Sequence, residues 1–160
     1  MTFAYFVEKQ LQTRIVRFFN TVGPRQLGAY GMVVPRFVTA ALANEPITIY
    51  GDGNQTRCFA HVYDVVDAVI AIAFADNTVG KVINIGNNFE ISINGLAKKI
   101  IEETGSKSKI EYVAYADAYG DGFEDMERRV PNIDLINQLV GWKPKRNLST
   151  MIAEIGRAHV

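Results

Sequence analysis

An asparagine and an arginine stand in a glycine-containing loop after a short apolar strand, in the segment RFFNTVGPR at residues 17–25. Asn20, at the end of the strand, can donate its side-chain amide to a phosphate or carbonyl oxygen. Arg25 can add positive charge and a planar guanidinium fork that suits an oxyanion. The alternative is that Asn20 starts an Asx turn and that Arg25 is solvated. These residues alone leave both interpretations open.

A second candidate is the segment GDGNQTRCF at residues 51–59, which follows a predicted strand. Alternation along that strand places Thr48 and Tyr50 on one face. The Tyr50 ring can lie beside a planar base, and Arg57 can bind a diphosphate through two hydrogen bonds. The alternative is a β-hairpin in which Tyr50 is half-buried and Arg57 forms a surface ion pair.

Two adjacent arginines, Arg128 and Arg129, lie in the acidic segment EDMERRVPN. Such a run is typical of a solvated patch, in which the arginines pair with Glu124, Asp125 and Glu127. The alternative is that one of the two arginines approaches the same anion as Arg57.

Two further patterns are interpreted as unrelated to catalysis. Tyr5 and Lys9 lie one helical turn apart, the spacing that short-chain dehydrogenases use for proton transfer, but a single match of this kind is treated as coincidence. His61, between apolar neighbours, is predicted to be a packed or hydrogen-bonded strand residue. Since no second histidine or carboxylate completes a metal motif with it, the sequence predicts no metal site.

Composition points to one globular domain, or one piece of a larger one, with 48% apolar and 21% charged residues among 160. Seventeen basic and seventeen acidic residues cancel, so no overall charge favours nucleic acid or an anionic membrane. Cys58 is the single cysteine, which excludes an intramolecular disulfide and is consistent with a reducing compartment. No apolar run has the length of a spanning helix, and residues 1–16 lack a signal-peptide layout. We therefore expect a cytoplasmic protein with neither nucleic-acid nor membrane partners.

Helices alternate with strands along the chain, which predicts an α/β fold without a dinucleotide-binding first half. Residues 116–130 are predicted to be irregular. The predicted strands are TRIVRFF, ITIY with the segment after its Gly-Asp-Gly turn, KVINIG and KIEYVAY. Six helices are predicted. The first ends within the first dozen residues, the second covers residues 35–44, and the third begins at a cap formed by Asp64 and Asp67. The fourth runs from Ile93 to Glu103, capped by Ser92 and ended by Gly105, the fifth ends at Gly141, and the last starts near Ser149.

Three motifs in this order closely resemble the C-terminal half of extended short-chain dehydrogenases/reductases of the NAD-dependent epimerase/dehydratase family, which act on nucleotide sugars. They are residues 17–25, residues 46–68 (PITIYGDGNQTRCFAHVYDVVDA) and residues 122–149 (GFEDMERRVPNIDLINQLVGWKPKRNLS). The resemblance runs from about Ala4 to Glu154 and is nearest to UDP-glucose 4-epimerase-like and UDP-glucuronate decarboxylase-like proteins. It implies the C-terminal portion of an NAD(P)-binding Rossmann-type sheet and a smaller mixed α/β substrate-binding domain.

The resemblance also implies a cofactor contact and a set of substrate contacts. Phe18 matches the residue whose main chain lies near the nicotinamide, and Asn20 matches the asparagine that hydrogen-bonds the diphosphate. Arg57 matches the arginine that holds the diphosphate, and Arg129 is the better match for a later arginine near the nucleotide or ribose. The remaining matches are Val33, in a loop that approaches the nucleotide, and Thr48 and Tyr50, which flank the uracil.

The resemblance accounts for Tyr5 as well, because the family's catalytic tyrosine and lysine stand further upstream of the Asn20 strand. Tyr5 then lies near the end of the catalytic helix. The catalytic pair, its accompanying serine or threonine and the glycine-rich NAD loop are absent, so no residue of this chain is predicted to be catalytic. Residues 155–160, IGRAHV, match the translation of a DNA-sequencing adapter and are predicted to be a non-native tail after a family portion of 1–154.

These inferences predict the UDP-sugar-binding portion of an NAD-dependent sugar epimerase/dehydratase, most similar to UDP-glucose 4-epimerase and inactive by itself. Met32 stands where the epimerases often have an asparagine, so the sugar and the choice among epimerisation, dehydration and decarboxylation stay open. The family forms homodimers through a helix pair that is largely missing here, so no native dimer is expected. The alternative is a free-standing nucleotide-binding or protein-interaction module without catalysis.

Overall fold

The structure, a computed structural model, describes residues 2–26, 28, 32–115, 117 and 126–158. The chain divides into two compact units. The first unit comprises residues 1–21, 58–89 and 130–146, and the second comprises residues 22–57, 90–129 and 147–160. Because the chain alternates between them, each unit is assembled from segments that are distant in sequence.

Helices and short strands alternate through the described residues, as the sequence pattern predicts. In chain order they are α1 (Thr2–Lys9), β1 (Ile15–Phe18), β2 (Thr21–Val22), α2 (Val33–Leu42), β3 (Ile47–Tyr50), β4 (Thr56–Cys58), β5 (Ala60–His61), α3 (Val62–Phe74), a 3-10 turn (Asp76–Thr78), β6 (Val82–Ile85), β7 (Glu90–Ser92), α4 (Ile93–Thr104), β8 (Ile110–Val113), β9 (Arg128–Arg129), α5 (Asp134–Val140) and α6 (Leu148–Ala158).

The first unit is built on a parallel strand pair. Strand β1 pairs with β6 from Ile15↔Val82 to Phe18↔Ile85. Helix α3, which comes before β6 in the chain, has the apolar i, i+3, i+4 spacing that buries one face against a sheet. That face shares one buried core with strand β6, and Val16 of β1 packs against this core. Its buried members are Ala60, Val65, Ala68, Ile72, Ile83, Ile85, Ile133, Ile136 and Trp142.

The second unit contains another parallel pair and a three-stranded sheet. Strand β3 pairs with β8 from Ile47↔Ile110 to Tyr50↔Val113, and helix α4 lies between them in the chain. Helices α2, α4 and α6 pack against one another. The predicted ends of α4 are confirmed to within a residue, since Ser92 Oγ accepts from Gly95 N and Gly105 adopts a left-handed φ of 63°. Strand β4 lies between β7 and β9.

The hairpin alternative for residues 47–58 is wrong. Ile47 and Ile49 are fully buried, and their strand pairs with β8 rather than with β4. Between the two strands, Gly51 and Gly53 adopt left-handed φ values of 74° and 73°. A buried strand of this kind pairs in parallel with a strand that follows a crossover helix. After the turn, β4 belongs to a different sheet.

The expected capping of α3 by Asp64 and Asp67 is also wrong. The helix begins at Val62, and its cap is His61, whose Nδ1 accepts from Tyr63 N at 3.1 Å. Asp64 is buried and accepts instead from the backbone of Lys145 and Arg146 and from the Arg146 side chain. The prediction that His61 is a hydrogen-bonded packed residue is confirmed.

Two other stretches bear on the sequence expectations. Part of the segment predicted to be irregular forms strand β9, although most of residues 116–125 lie outside the described residues. Helix α6 extends to Ala158, into the segment predicted to be a non-native tail, and Ile155 is fully buried. The non-native origin of that segment stays a prediction. None of the described helices has the length and apolar character needed to cross a membrane.

Candidate nucleotide-binding site

Two arginines share one face of the three-stranded sheet in the second unit. Strands β4 and β9 run parallel, with Thr56 opposite Arg128 and Arg57 opposite Arg129. Successive residues of a strand point to opposite faces, and register partners point to the same face. Arg57 and Arg129 therefore lie side by side, both half-buried, on the face opposite to Thr56 and Arg128.

On the opposite face, Arg128 and Thr56 both donate hydrogen bonds to the Glu90 carboxylate. Arg128 donates from Nε and Nη2 to the Glu90 carboxylate at 3.0 Å each, and the Thr56 hydroxyl donates to the same carboxylate. Glu90 belongs to the neighbouring strand β7, so this group links β7, β4 and β9. The expected partners of Arg128 included Glu124 and Asp125, which lie outside the described residues. Because successive strand residues point to opposite faces, Arg128 forms the ion pair with Glu90, whereas its neighbour Arg129 lies on the face of Arg57.

The Arg128–Glu90 pair makes stability depend on pH. Hydrogen bonds from Arg128 and then Thr56 hold the pKa of Glu90 below its ordinary value of 4.5. A lowered folded-state pKa adds stability that is present above about pH 4.5 and is lost as the pH falls through the folded-state value. We expect Glu90→Gln to be less stable than the parent at pH 7, with a difference in unfolding free energy, measured in urea, that narrows as the pH falls below 4.5. A pH-independent difference would contradict this, and exposed Glu111→Gln is the control.

Arg57 is held by two backbone carbonyl groups, one in its own strand β4 and one just before β9. Its Nη1 donates to Thr56 O at 2.7 Å and to Met126 O at 2.8 Å. These bonds fix the guanidinium plane against the segment that leads into Arg128. A guanidinium held in one orientation loses less conformational entropy when it binds an anion through its fork.

Strand β3 presents the two residues predicted to flank a base. Thr48 and Tyr50 are half-buried, whereas Ile47 and Ile49 point into the core, as the alternation predicts. Val33 is the first residue of α2 and is also half-buried. The three predicted positions therefore belong to the part of the second unit where α2 packs on β3.

Sequence reasoning missed Arg36, which contacts both Thr48 and Tyr50. Its Nη2 donates to Thr48 O at 3.1 Å, and its Cζ lies 4.6 Å from the centre of the Tyr50 ring. The available signal was a single charged residue within the otherwise apolar and neutral helix segment VVPRFVTAAL.

In the first unit, Phe18 and Asn20 lie at the carboxyl end of β1. The Phe18 side chain is 54% exposed. Asn20 adopts a φ of 23°, donates from Nδ2 to Cys58 O at 3.0 Å, and accepts from Ala60 N through its main-chain oxygen. The Asn20 amide thus makes a tertiary contact rather than a local turn. Carboxyl ends of parallel strands are the usual ligand-binding edge of open α/β sheets.

A second candidate cavity does not suit an anion. A cavity of about 380 Å³ in the second unit is lined by two carboxylates, Asp52 and Glu127, with Asn54, Gln55 and Tyr115. Like charge disfavours a diphosphate there. Within the described ranges, no group of three His, Cys, Asp or Glu side chains is arranged to hold a metal ion. Arg25 is exposed.

Comparison with known proteins places this geometry in a family. The sequence profile described as GDP-mannose 4,6-dehydratase matches residues 1–155. The UDP-N-acetyl-alpha-D-glucosaminuronate decarboxylase of Bacillus cytotoxicus is 42% identical over 135 residues, which are 84% of this chain and 42% of that protein.

Two solved structures give the same result at the level of the fold. A Thermotoga maritima UDP-glucose 4-epimerase with UDP-glucose superposes with a TM-score of 0.85 at 27% identity, over 97% of this chain and 48% of that one. A Bacillus anthracis dTDP-glucose 4,6-dehydratase in complex with NAD superposes with a TM-score of 0.84 at 28% identity, over 99% and 48%. The chain therefore spans less than half the length of these relatives.

Proposed function

Because this chain belongs to the NAD-dependent epimerase/dehydratase family of extended short-chain dehydrogenases/reductases, we propose that it is the UDP-sugar-binding portion of a nucleotide-sugar enzyme. The relative named as a UDP-sugar decarboxylase and the neighbour solved with UDP-glucose both support a UDP-sugar as the ligand. That the enzyme is a UDP-glucose 4-epimerase in particular stays a prediction.

The observation that carries the proposal is the shared face of Arg57 and Arg129. A diphosphate has several anionic oxygens, and a guanidinium binds two of them at once through charge-assisted hydrogen bonds. Two guanidinium groups on neighbouring strands match the two phosphates of the ligand. Arg128 takes no part, because it points to the other face and binds Glu90.

The other contacts of the second unit suit the nucleoside. Tyr50 offers a half-buried aromatic ring beside Thr48, and a planar pyrimidine packs favourably against such a ring. Val33 adds apolar surface where α2 begins. In this proposal, the arginines bind the diphosphate and the β3 face contacts the base.

In the first unit, the residues fit a limited part of a cofactor contact. Phe18 is exposed at the carboxyl end of a parallel strand, where such sheets bind dinucleotides. Asn20 suits an anionic or carbonyl oxygen, since its second side-chain N–H is not used by the bond to Cys58. In the intact family enzyme, NAD supplies hydride transfer at the sugar. The residues of this chain would bind and orient the sugar nucleotide.

The proposal is tested by thermal unfolding of the 160-residue chain with UDP, UMP and uridine. We expect UDP to raise Tm clearly, UMP to raise it less and uridine to have little effect, because each phosphate adds charge-assisted bonds. A free UDP concentration of 100 times Kd corresponds to about 2.7 kcal/mol of added free energy of unfolding.

Two results would count against the proposal in different ways. If the chain unfolds cooperatively and millimolar UDP does not change its Tm, the chain does not bind the nucleotide. Turnover of a UDP-sugar with NAD by the chain alone would contradict the prediction that it carries no catalytic residue. Inorganic phosphate at equal ionic strength is the control for nonspecific anion effects.

A further inference from the structure

Arg36 joins helix α2 to strand β3 mainly through aromatic contacts. Its guanidinium lies over two aromatic rings, with Cζ 4.6 Å from the centre of Tyr50 and 5.5 Å from that of Phe37. A single hydrogen bond, from Nη2 to Thr48 O, ties it to strand β3. Stacking on the ring faces is therefore its main interaction.

The remaining hydrogen-bonding capacity of Arg36 is poorly used by the described residues. Its Nε is buried and has no partner there. The ion pairs found among those residues use other cations, and none joins Arg36 to a carboxylate. A guanidinium carries five N–H donors, and buried donors in folded proteins are nearly always paired. The unused donor indicates that contact with the Tyr50 ring, rather than hydrogen bonding, determines where the guanidinium lies.

We propose that Arg36 is a positioning residue for the nucleobase: it holds the Tyr50 ring and the Thr48 backbone in the orientation against which the base packs. The inference rests on the proposed function, because it takes Tyr50 as the base contact. The cation on the ring face restrains the tyrosine side chain before the ligand arrives. A ring that is already fixed loses less entropy on binding.

The test compares two ligands that share the diphosphate, of which only one carries the nucleoside. UDP and inorganic pyrophosphate are titrated calorimetrically against the parent chain, Arg36→Met and Arg36→Lys. We expect Arg36→Met to weaken UDP about tenfold and pyrophosphate by less than about twofold, the size of a cation–π contact that acts through the ring. Arg36→Lys keeps the charge but not the planar fork, so its loss should be intermediate.

Two further variants separate positioning from a general loss of structure. Arg128→Met makes the same change in the sheet of β7, β4 and β9, on the face opposite to Arg57, and should leave the ratio of UDP to pyrophosphate affinity unchanged. Tyr50→Leu should weaken UDP by itself, and adding Arg36→Met to it should cost little more, because Arg36 acts through the ring.

The outcomes distinguish this inference from the proposed function. If the parent chain binds neither ligand, the proposed function fails and the inference fails with it. If the parent binds UDP but the Arg36 variants weaken both ligands by the same factor, Arg36 acts only through the fold. The inference then fails while the proposed function stands. Should Arg36→Met not fold, the same ratio measured for Arg36→Lys decides.

Discussion

Replacing Asp64 with alanine is expected to lower the free energy of unfolding by about 3 kcal/mol, the low end of the cost of removing one partner from a buried ion pair. The Asp64 side chain is 1% exposed and accepts from Lys145 N at 3.0 Å and Arg146 N at 2.9 Å, as well as from the Arg146 guanidinium. Its main-chain oxygen accepts from Trp142 Nε1 at 3.0 Å. The low end applies because the Arg146 side chain is one-third exposed and can reach water.

Urea unfolding measures this effect, and Asp67→Ala is the matched control. Asp67 is exposed on the same helix, so its loss should change stability by less than about 0.5 kcal/mol. Asp64→Asn keeps one carbonyl acceptor and should fall between the two. If Asp64→Ala and Asp67→Ala lowered the free energy of unfolding equally, the hydrogen bonds from residues 145–146 to Asp64 would contribute nothing to stability.

Replacing Arg57 with alanine is expected to weaken UDP binding about thirtyfold, which corresponds to about 2 kcal/mol for charge-assisted hydrogen bonds to a diphosphate. Arg129→Ala should cost about tenfold, since the resemblance places this arginine nearer the nucleotide or ribose. Arg128→Ala should leave the affinity unchanged, because this side chain points to the opposite face and binds Glu90.

Calorimetric titration with UDP, well below each variant's Tm, checks this order. The low temperature matters because Arg128→Ala removes the link among three strands and lowers stability without touching the ligand. If Arg128→Ala weakened UDP as much as Arg57→Ala, the losses would report the integrity of the sheet. The assignment of the two faces would then be wrong.

Local sequence signals predicted most of the elements. Ser92 and Gly105 mark the ends of α4, and Gly141, with a φ of 66°, ends α5, because caps and left-handed C-terminal positions depend on a few neighbouring residues. The alternation at residues 47–50 correctly separated buried isoleucines from half-buried Thr48 and Tyr50. Order and spacing of three motifs were enough to identify the family.

Partner choice could not be predicted in the same way. Residues 47–58 read equally well as a hairpin, since the local pattern does not say whether a strand pairs with its neighbour or across a helix. Asp64 had the spacing of a helix cap, but the segment at 145–146 supplies three donors to it from far along the chain. Long-range contacts of this kind depend on the packing of the whole unit.

The sequence by itself determined the family, the alternation of helices and strands, and the residue types able to bind an anion and to pack against a planar ring. Only the tertiary structure decided which arginines share a face, because the register of β4 against β9 pairs Arg57 with Arg129 and leaves Arg128 to Glu90. It also decided the place of Arg36, since nothing local to α2 indicates that its guanidinium lies over Tyr50. Faces and stacking partners follow from strand register and helix packing, which arise only when distant segments fold together.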